Sequence, residues 1–174
     1  MTLAYQLEKV WAALDVGGTL ANTALVWVNA RLDVGVRVWS GDEGVLHAQA
    51  AVEDLARQFS LQELAYDPWR ARQLALELEQ RRIRTVEFPQ TAARMSQASD
   101  ALYRAVVEQR LTHPADVILD RHVAAAVAKD SPRGWTLTKA PGGGNIDAVI
   151  ALAMAVQRAA EPPTQQPTEF LGWL

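Results

Sequence analysis

VWAALDVGGTLANTALVWV, residues 10–28, carries two β-rich runs separated by a glycine-containing turn, and its reading decides how the rest of the chain is laid out. The apolar run Val10 to Val16 stops where Gly17 and Gly18 free the backbone, and Thr23 to Val28 resumes an extended pattern rich in β-branched and aromatic residues. A third run, Val34 to Trp39, follows a turn containing Asn29 and Asp33. Short turns between successive strands predict an antiparallel meander.

Working outward, the pattern changes. From Val45 to Phe59 the apolar positions Val45, Leu46, Val52, Leu55 and Phe59 recur at helical spacing. Leu64 to Tyr66 then reads as a fourth strand, Trp69 to Arg82 as a helix and Thr85 to Phe88 as a fifth strand. Helices are expected at Ser96 to Arg110, Val117 to Ala128 and about Ile146 to Ala159, with Trp135 to Thr138 extended between turns. Each strand–helix–strand crossover sets its strands parallel, so the expectation is an α/β fold with a mixed five-stranded sheet and flanking helices. That order resembles the RNase H-like (ribonuclease H/resolvase-type) one. One domain is expected over residues 1–160, and Pro162, Pro163 and Pro167, mixed with Thr and Gln, predict a flexible tail over 161–174.

With 174 residues, 49% of them apolar, the chain can bury one sizeable core. No apolar run approaches the length of a membrane helix and no signal-peptide order opens the sequence, so a soluble, cytosolic protein is expected. Without cysteine, any metal must be held by oxygen or imidazole, which favours hard divalent ions. The net charge of -3 does not suggest a protein that coats nucleic acid. Basic residues nevertheless crowd one stretch, at Arg70, Arg72, Arg81, Arg82 and Arg84. A local acidic site flanked by basic surface suits metal-dependent work on a polyanion, and an ordinary solvated mixed surface explains the same charges.

Three acids stand at informative places, each with two readings. Asp15 ends an apolar strand before two glycines, as a ligand or as a side chain bonding turn amides. Asp67 precedes Pro68 and Trp69, which makes it a good helix cap; if the fourth strand lies parallel beside the first, it also emerges next to Asp15. Asp147 follows Gly142, Gly143, Gly144 and the possible cap Asn145, where the helix dipole favours a negative charge. Ile146, Val149, Ile150, Ala153 and Val156 give this last helix an apolar side that can carry Asp147 over the strand ends. Convergent carboxylates suit phosphodiester hydrolysis, because two magnesium or manganese ions roughly 4 Å apart activate water and stabilise the leaving oxygen. The three histidines show no metal-ligand spacing, and no Ser, His and Asp order marks a triad. His113 and His122 are candidates for touching phosphate or positioning water, with a packed or surface role as the alternative.

Asp15, Gly17, Gly18 and Thr19 also resemble the first phosphate loop of actin-like and sugar-kinase ATPases, but the chain is too short for the second lobe such kinases need. It contains no GxxxxGK[ST] sequence.

Over nearly its whole length the chain resembles the C-terminal nuclease half of phage terminase large subunits. The resemblance is carried by ALDVGGTLANTALVWV, AYDPWRARQLALELEQ, TVEFPQTAARMSQASDALYRAVVEQRLTH, RHVAAAVA and TLTKAPGGGNIDAVIALAMA. It implies that Asp15, Asp67 and Asp147 hold two divalent metal ions, Mg2+ or Mn2+, for cleavage of concatemeric double-stranded DNA. Lys139 matches a lysine common in the family and is a candidate phosphate contact, as is the nearby Asn145. Two departures touch accessory roles: many relatives carry a further acid where this sequence has Ala21 and Asn22, and an asparagine often found after RHV is Ala125 here. The resemblance also implies a small terminase subunit and the portal protein as partners, with Phe170, Leu171, Trp173 and Leu174 as a docking element or an end folded on its own domain. These residues include no packaging ATPase. The expected setting is the host cytoplasm during viral assembly. Two alternatives remain: another RNase H-like nuclease, such as a resolvase or transposase core, and a catalytically weak docking module.

Overall fold

The computed structural model describes residues 6–17, 22–41, 43–132 and 134–161. The meander is present: β1 (Lys9–Val16), β2 (Asn22–Asn29) and β3 (Val34–Ser40) pair antiparallel in turn. Next come α1 (Gly44–Gln58), β4 (Ser60–Tyr66), α2 (Pro68–Gln80) and β5 (Thr85–Glu87). Both β4 and β5 join parallel, so the sheet order is β3-β2-β1-β4-β5. The chain continues through α3 (Ala92–Val107), α4 (Val117–Ala124), β6 (Ala126–Ser131), β7 (Gly134–Lys139) and α5 (Asp147–Ala160).

Two cores sandwich the sheet, and strand alternation assigns residues to them. On β1, Val10, Ala12, Leu14 and Val16 face α1 and α2, whereas Ala13 faces α5. β4 follows suit, with Leu64 and Tyr66 on the first side and Ala65 on the second. Asp15 therefore shares Ala13's face. Helix α5 lies in the middle of its core and is buried from Asp147 to Arg158 with no solvated side. Its alanines at 148, 151, 153 and 155 are fully buried, which lets the helix approach the sheet and α3 closely.

One charged group lies deep on this face. The Arg158 guanidinium forks onto Glu63 of β4, with Nη2 donating to Oε2 at 3.0 Å and Nε donating to Oε1. It also bonds Glu161, and the Glu63 hydrogen bonds hold its pKa above the ordinary arginine value.

Three boundaries differ from the sequence expectation. The helix expected to reach Ala128 ends at Ala124, and residues 126–131 form β6 instead. An alanine-rich run has high helix propensity, but here pairing with β7 overrides it. The hairpin is anchored on α3 by Leu137 N–H donating to Ser99 Oγ at 3.1 Å and by Trp135 meeting Tyr103 edge-on, with ring centroids 5.9 Å apart. Helix α3 begins at Ala92 rather than Ser96, because Thr91 caps it by accepting from Arg94 N–H at 3.3 Å. β4 begins four residues early, since parallel pairing with β1 recruits Ser60 to Glu63, of which only Leu61 is apolar. Residues 162–174, including Phe170, Leu171, Trp173 and Leu174, lie outside the described residues, as does Ala21.

Candidate active site

Leu14 of β1 pairs with Tyr66 of β4 in parallel register, so the next residue of β1, Asp15, and the one that follows β4, Asp67, lie side by side at the strand ends. Both stand at the carboxyl ends of parallel strands, where open α/β sheets present their ligand crevices. Asp15 is half-buried and accepts from Gln90 Nε2 at 2.9 Å. Its pKa is pushed up to about 7: burial is the main cause, the Gln90 bond opposes it, the charges of Asp147 and Asp67 raise it further, and Arg70 opposes them. Asp15 thus feels both other acids.

Asp67 does cap α2, with Oδ1 accepting from Trp69 N–H at 3.2 Å. A cap engages one oxygen and leaves the other for a second partner, so the two readings of this residue are compatible.

Asp147 opens α5 and is 8% exposed; its Oδ2 accepts from Asn22 N–H at 3.2 Å. Asn145 does not cap the helix: Ile146 holds the cap position without a side-chain bond. The first turn is capped from a distance by His122, whose Nδ1 accepts from Ala148 N–H at 3.0 Å. The ring proton of neutral His122 therefore sits on Nε2, which lies 3.1 Å from Asn22 Nδ2; that proton finds an acceptor in Asn22 only with the amide turned to present its oxygen. Burial lowers the His122 pKa against the upward pull of Asp147, in keeping with an uncharged acceptor. With Nδ1 engaged by Ala148 and 4% of its surface exposed, His122 is built into the interior and is not an open phosphate contact.

Lys139, at the end of β7, donates to Asn145 Oδ1 at 3.3 Å, so these two candidates sit together beside the start of α5. Asn145 lines a cleft of about 290 Å3 with Asn22, Ser40, Arg121 and His122. His113 is elsewhere. Its neighbour Thr112 bridges Asp33, which lies beyond the end of β2 that pairs with Val10, so His113 belongs to the opposite end of the sheet from Asp15. It bonds the Pro114 carbonyl at 2.9 Å and lines an apolar groove with Leu102, Val106 and Leu152.

Gln90 and Arg70 escaped the sequence reading. Gln90 follows β5, the neighbour of β4, and only the strand order places it at the same edge as Asp15. Arg70 stands three residues after Asp67 and was legible only as part of a basic stretch.

The three acids converge without closing on one another: among the described residues no group of three or more His, Asp or Glu side chains is arranged to hold a metal ion. Among the same residues, no helix is long and apolar enough to cross a membrane.

A family model described as the endonuclease domain of the terminase large subunit matches residues 31–162. In fold the chain is similar to the large terminase of bacteriophage HK97, with a TM-score of 0.74 at 21% identity, covering 87% of this chain and 39% of that one. It is also similar to the large terminase nuclease of thermophilic phage G20c with bound magnesium, with a TM-score of 0.71 at 15% identity, covering 87% and 82% of the two chains. A mutant nuclease domain of the large terminase subunit gp2 of bacterial virus Sf6, with manganese and beta-thujaplicinol, gives 0.58 at 16% identity over 88% and 89%. The chain therefore spans 39% of the HK97 protein's length. A search of curated proteins found no match. The mixed sheet with flanking helices is the RNase H-like fold of these terminase nucleases.

Proposed function

The chain belongs to the family of terminase large-subunit endonuclease domains, and on that premise we propose that it hydrolyses phosphodiester bonds of double-stranded DNA using divalent metal ions held by Asp15, Asp67 and Asp147. The observation that carries this reading is the convergence of three carboxylates at one sheet edge, where burial chiefly raises the Asp15 pKa and the charges of Asp147 and Asp67 add to the rise. Like charges gathered in a partly dry site favour a cation there. The donor set is all oxygen, which fits magnesium or manganese, and relatives from G20c and Sf6 are described with those ions. Ions held by Asp15, Asp67 and Asp147 would supply activation of the attacking water and charge stabilisation at the leaving oxygen, the two-metal chemistry of many nucleases.

The chain's own residues prepare the edge. Gln90 orients the Asp15 carboxylate through Oδ1 and opposes its protonation. Asn22 holds Asp147 through its backbone N–H, and His122 ties the first turn of α5 to α4 by accepting from Ala148. Lys139 and Asn145 stand beside that turn as candidate DNA contacts. In the packaging setting the substrate is concatemeric viral DNA in the host cytoplasm. The packaging ATPase, a small terminase subunit and the portal protein would choose where and when the domain cuts.

The deciding experiment is nicking and linearisation of supercoiled plasmid with magnesium or manganese by the native chain and by folded Asp15→Asn, Asp67→Asn and Asp147→Asn proteins. Loss in all three supports one shared metal site. Activity that survives an Asp67 or Asp147 change would remove that residue from the set. A native chain inert with both metals would favour the second reading, a docking module, for which the open arrangement of the acids is the supporting observation.

A further inference from the structure

Resting on that reading, we propose that Trp69 is a stacking platform for an unpaired nucleobase at the cleavage edge, with Arg70 holding an adjacent phosphate. Trp69 is 84% exposed at the start of α2, although an indole offers a large apolar surface that folded proteins usually cover. Its position is tied to the site, because its own N–H is bonded by Asp67 Oδ1 at 3.2 Å. Arg70 follows it, lies within electrostatic reach of Asp15 and forms no ion pair among the described residues. Arg72, one residue further, is engaged with Glu87 at 3.6 Å.

The surroundings of Trp69 select the occupant. An apolar protein partner would engage Leu76 as well, the other exposed apolar side chain of α2 about two turns along the same face, but the exposed residue next to the indole is Arg70. A flat aromatic next to an unpaired cation instead matches a strand of nucleic acid, which offers π-faces and phosphates in alternation. Along an intact duplex the base faces are already stacked, so away from the two end pairs the indole can engage only a base that has left its pair. The domain should therefore bind nicked, frayed or single-stranded DNA more tightly than the blunt duplex of the same sequence.

The test is binding of a labelled single-stranded oligodeoxynucleotide and the matching blunt duplex to the full chain in calcium, followed by cleavage kinetics in magnesium. Trp69→Ala should weaken single-strand binding by about ten- to a hundredfold. It should affect the blunt duplex less and express its loss in KM rather than kcat. Trp69→Phe should restore most of the affinity, and Leu76→Ala, which removes another exposed apolar side chain of α2, should bind as the native chain does. A Trp69→Ala protein of native melting temperature that binds single strands normally would overturn the proposal and leave the indole to a protein contact. Binding is read without cleavage, so a nuclease-dead native chain would defeat the reading above while leaving this test intact.

Discussion

Helix α5 carries a buried charge cluster near each end, and the two are built in opposite ways. Near its carboxyl end Arg158 is matched by Glu63 across the sheet face and by Glu161 along the chain. At its amino end Asp147 is gathered with Asp15 and Asp67, three charges of one sign whose named electrostatic relief at Asp15 is Arg70 and whose direct partner there is Gln90. The first cluster is complete as it stands, and its geometry holds β4 against α5. The second holds a net repulsion that the fold tolerates, which a cation would remove. A structural pair satisfies itself, whereas a functional cluster leaves a specific partner missing.

Breaking the complete cluster should have the largest effect. Arg158→Ala leaves the buried Glu63 carboxylate without its fork and with only Arg84 at 3.9 Å, and the loss in denaturant unfolding should approach that of a broken buried pair, about 3–5 kcal/mol. An unfolding midpoint unchanged from native would mean that the two clusters do not differ in kind.

The incomplete cluster should respond with the opposite sign. Asp15 has an ordinary pKa of 3.8 and a folded value of about 7, so its contribution to stability is fully present below pH 3.8 and is lost as pH rises through about 7. Asp15→Asn should therefore be more stable than the native chain at pH 8 in chelator, by roughly 2–4 kcal/mol after allowing for its partial exposure. The gap should close in acid, and magnesium should narrow it by binding the native protein alone. An asparagine variant less stable than native at pH 8 would show that Asp15 is not a strained carboxylate.

Gln90→Ala sharpens the same contrast by a smaller step. Without the Gln90 bond the Asp15 pKa should rise further, and metal-dependent cleavage near pH 7 should fall by about tenfold, with recovery as pH is raised. A uniform loss at all pH values would assign Gln90 to substrate contact instead. The smallest stability change is expected for Asp67→Asn, within about 0.5 kcal/mol, because asparagine caps a helix as well as aspartate does. Cleavage lost at unchanged stability would separate the ligand role of Asp67 from its cap.

Much of the fold was legible because its signals are local. The meander at residues 10–39, the strand that ends at Tyr66 and the long apolar pattern of α5 all follow from periodicity and turn residues that near neighbours determine. The acids stood out for the same reason, each at a strand end or helix start. What was misread depends on contacts far along the chain. Residues 126–128, expected to continue the helix, have helical propensity, and only the presence of β7, itself seated on α3, makes them a strand. His122 carries no local sign that it caps a helix beginning 25 residues later, and the salt bridge between Glu63 and Arg158 joins residues 95 apart.

By itself the sequence determined the order of the five sheet strands and the helices between them, the strand-end and helix-start positions of the three acids, and the absence of any thiol from the metal chemistry. Tertiary structure alone decided that Gln90 reaches Asp15, that His122 faces inward and that His113 lies at the far end of the sheet. The physical reason is range: backbone propensity and side-chain periodicity act over a few residues, whereas a hydrogen bond or a shared charge depends on which strands lie side by side, and that is settled only when the core packs.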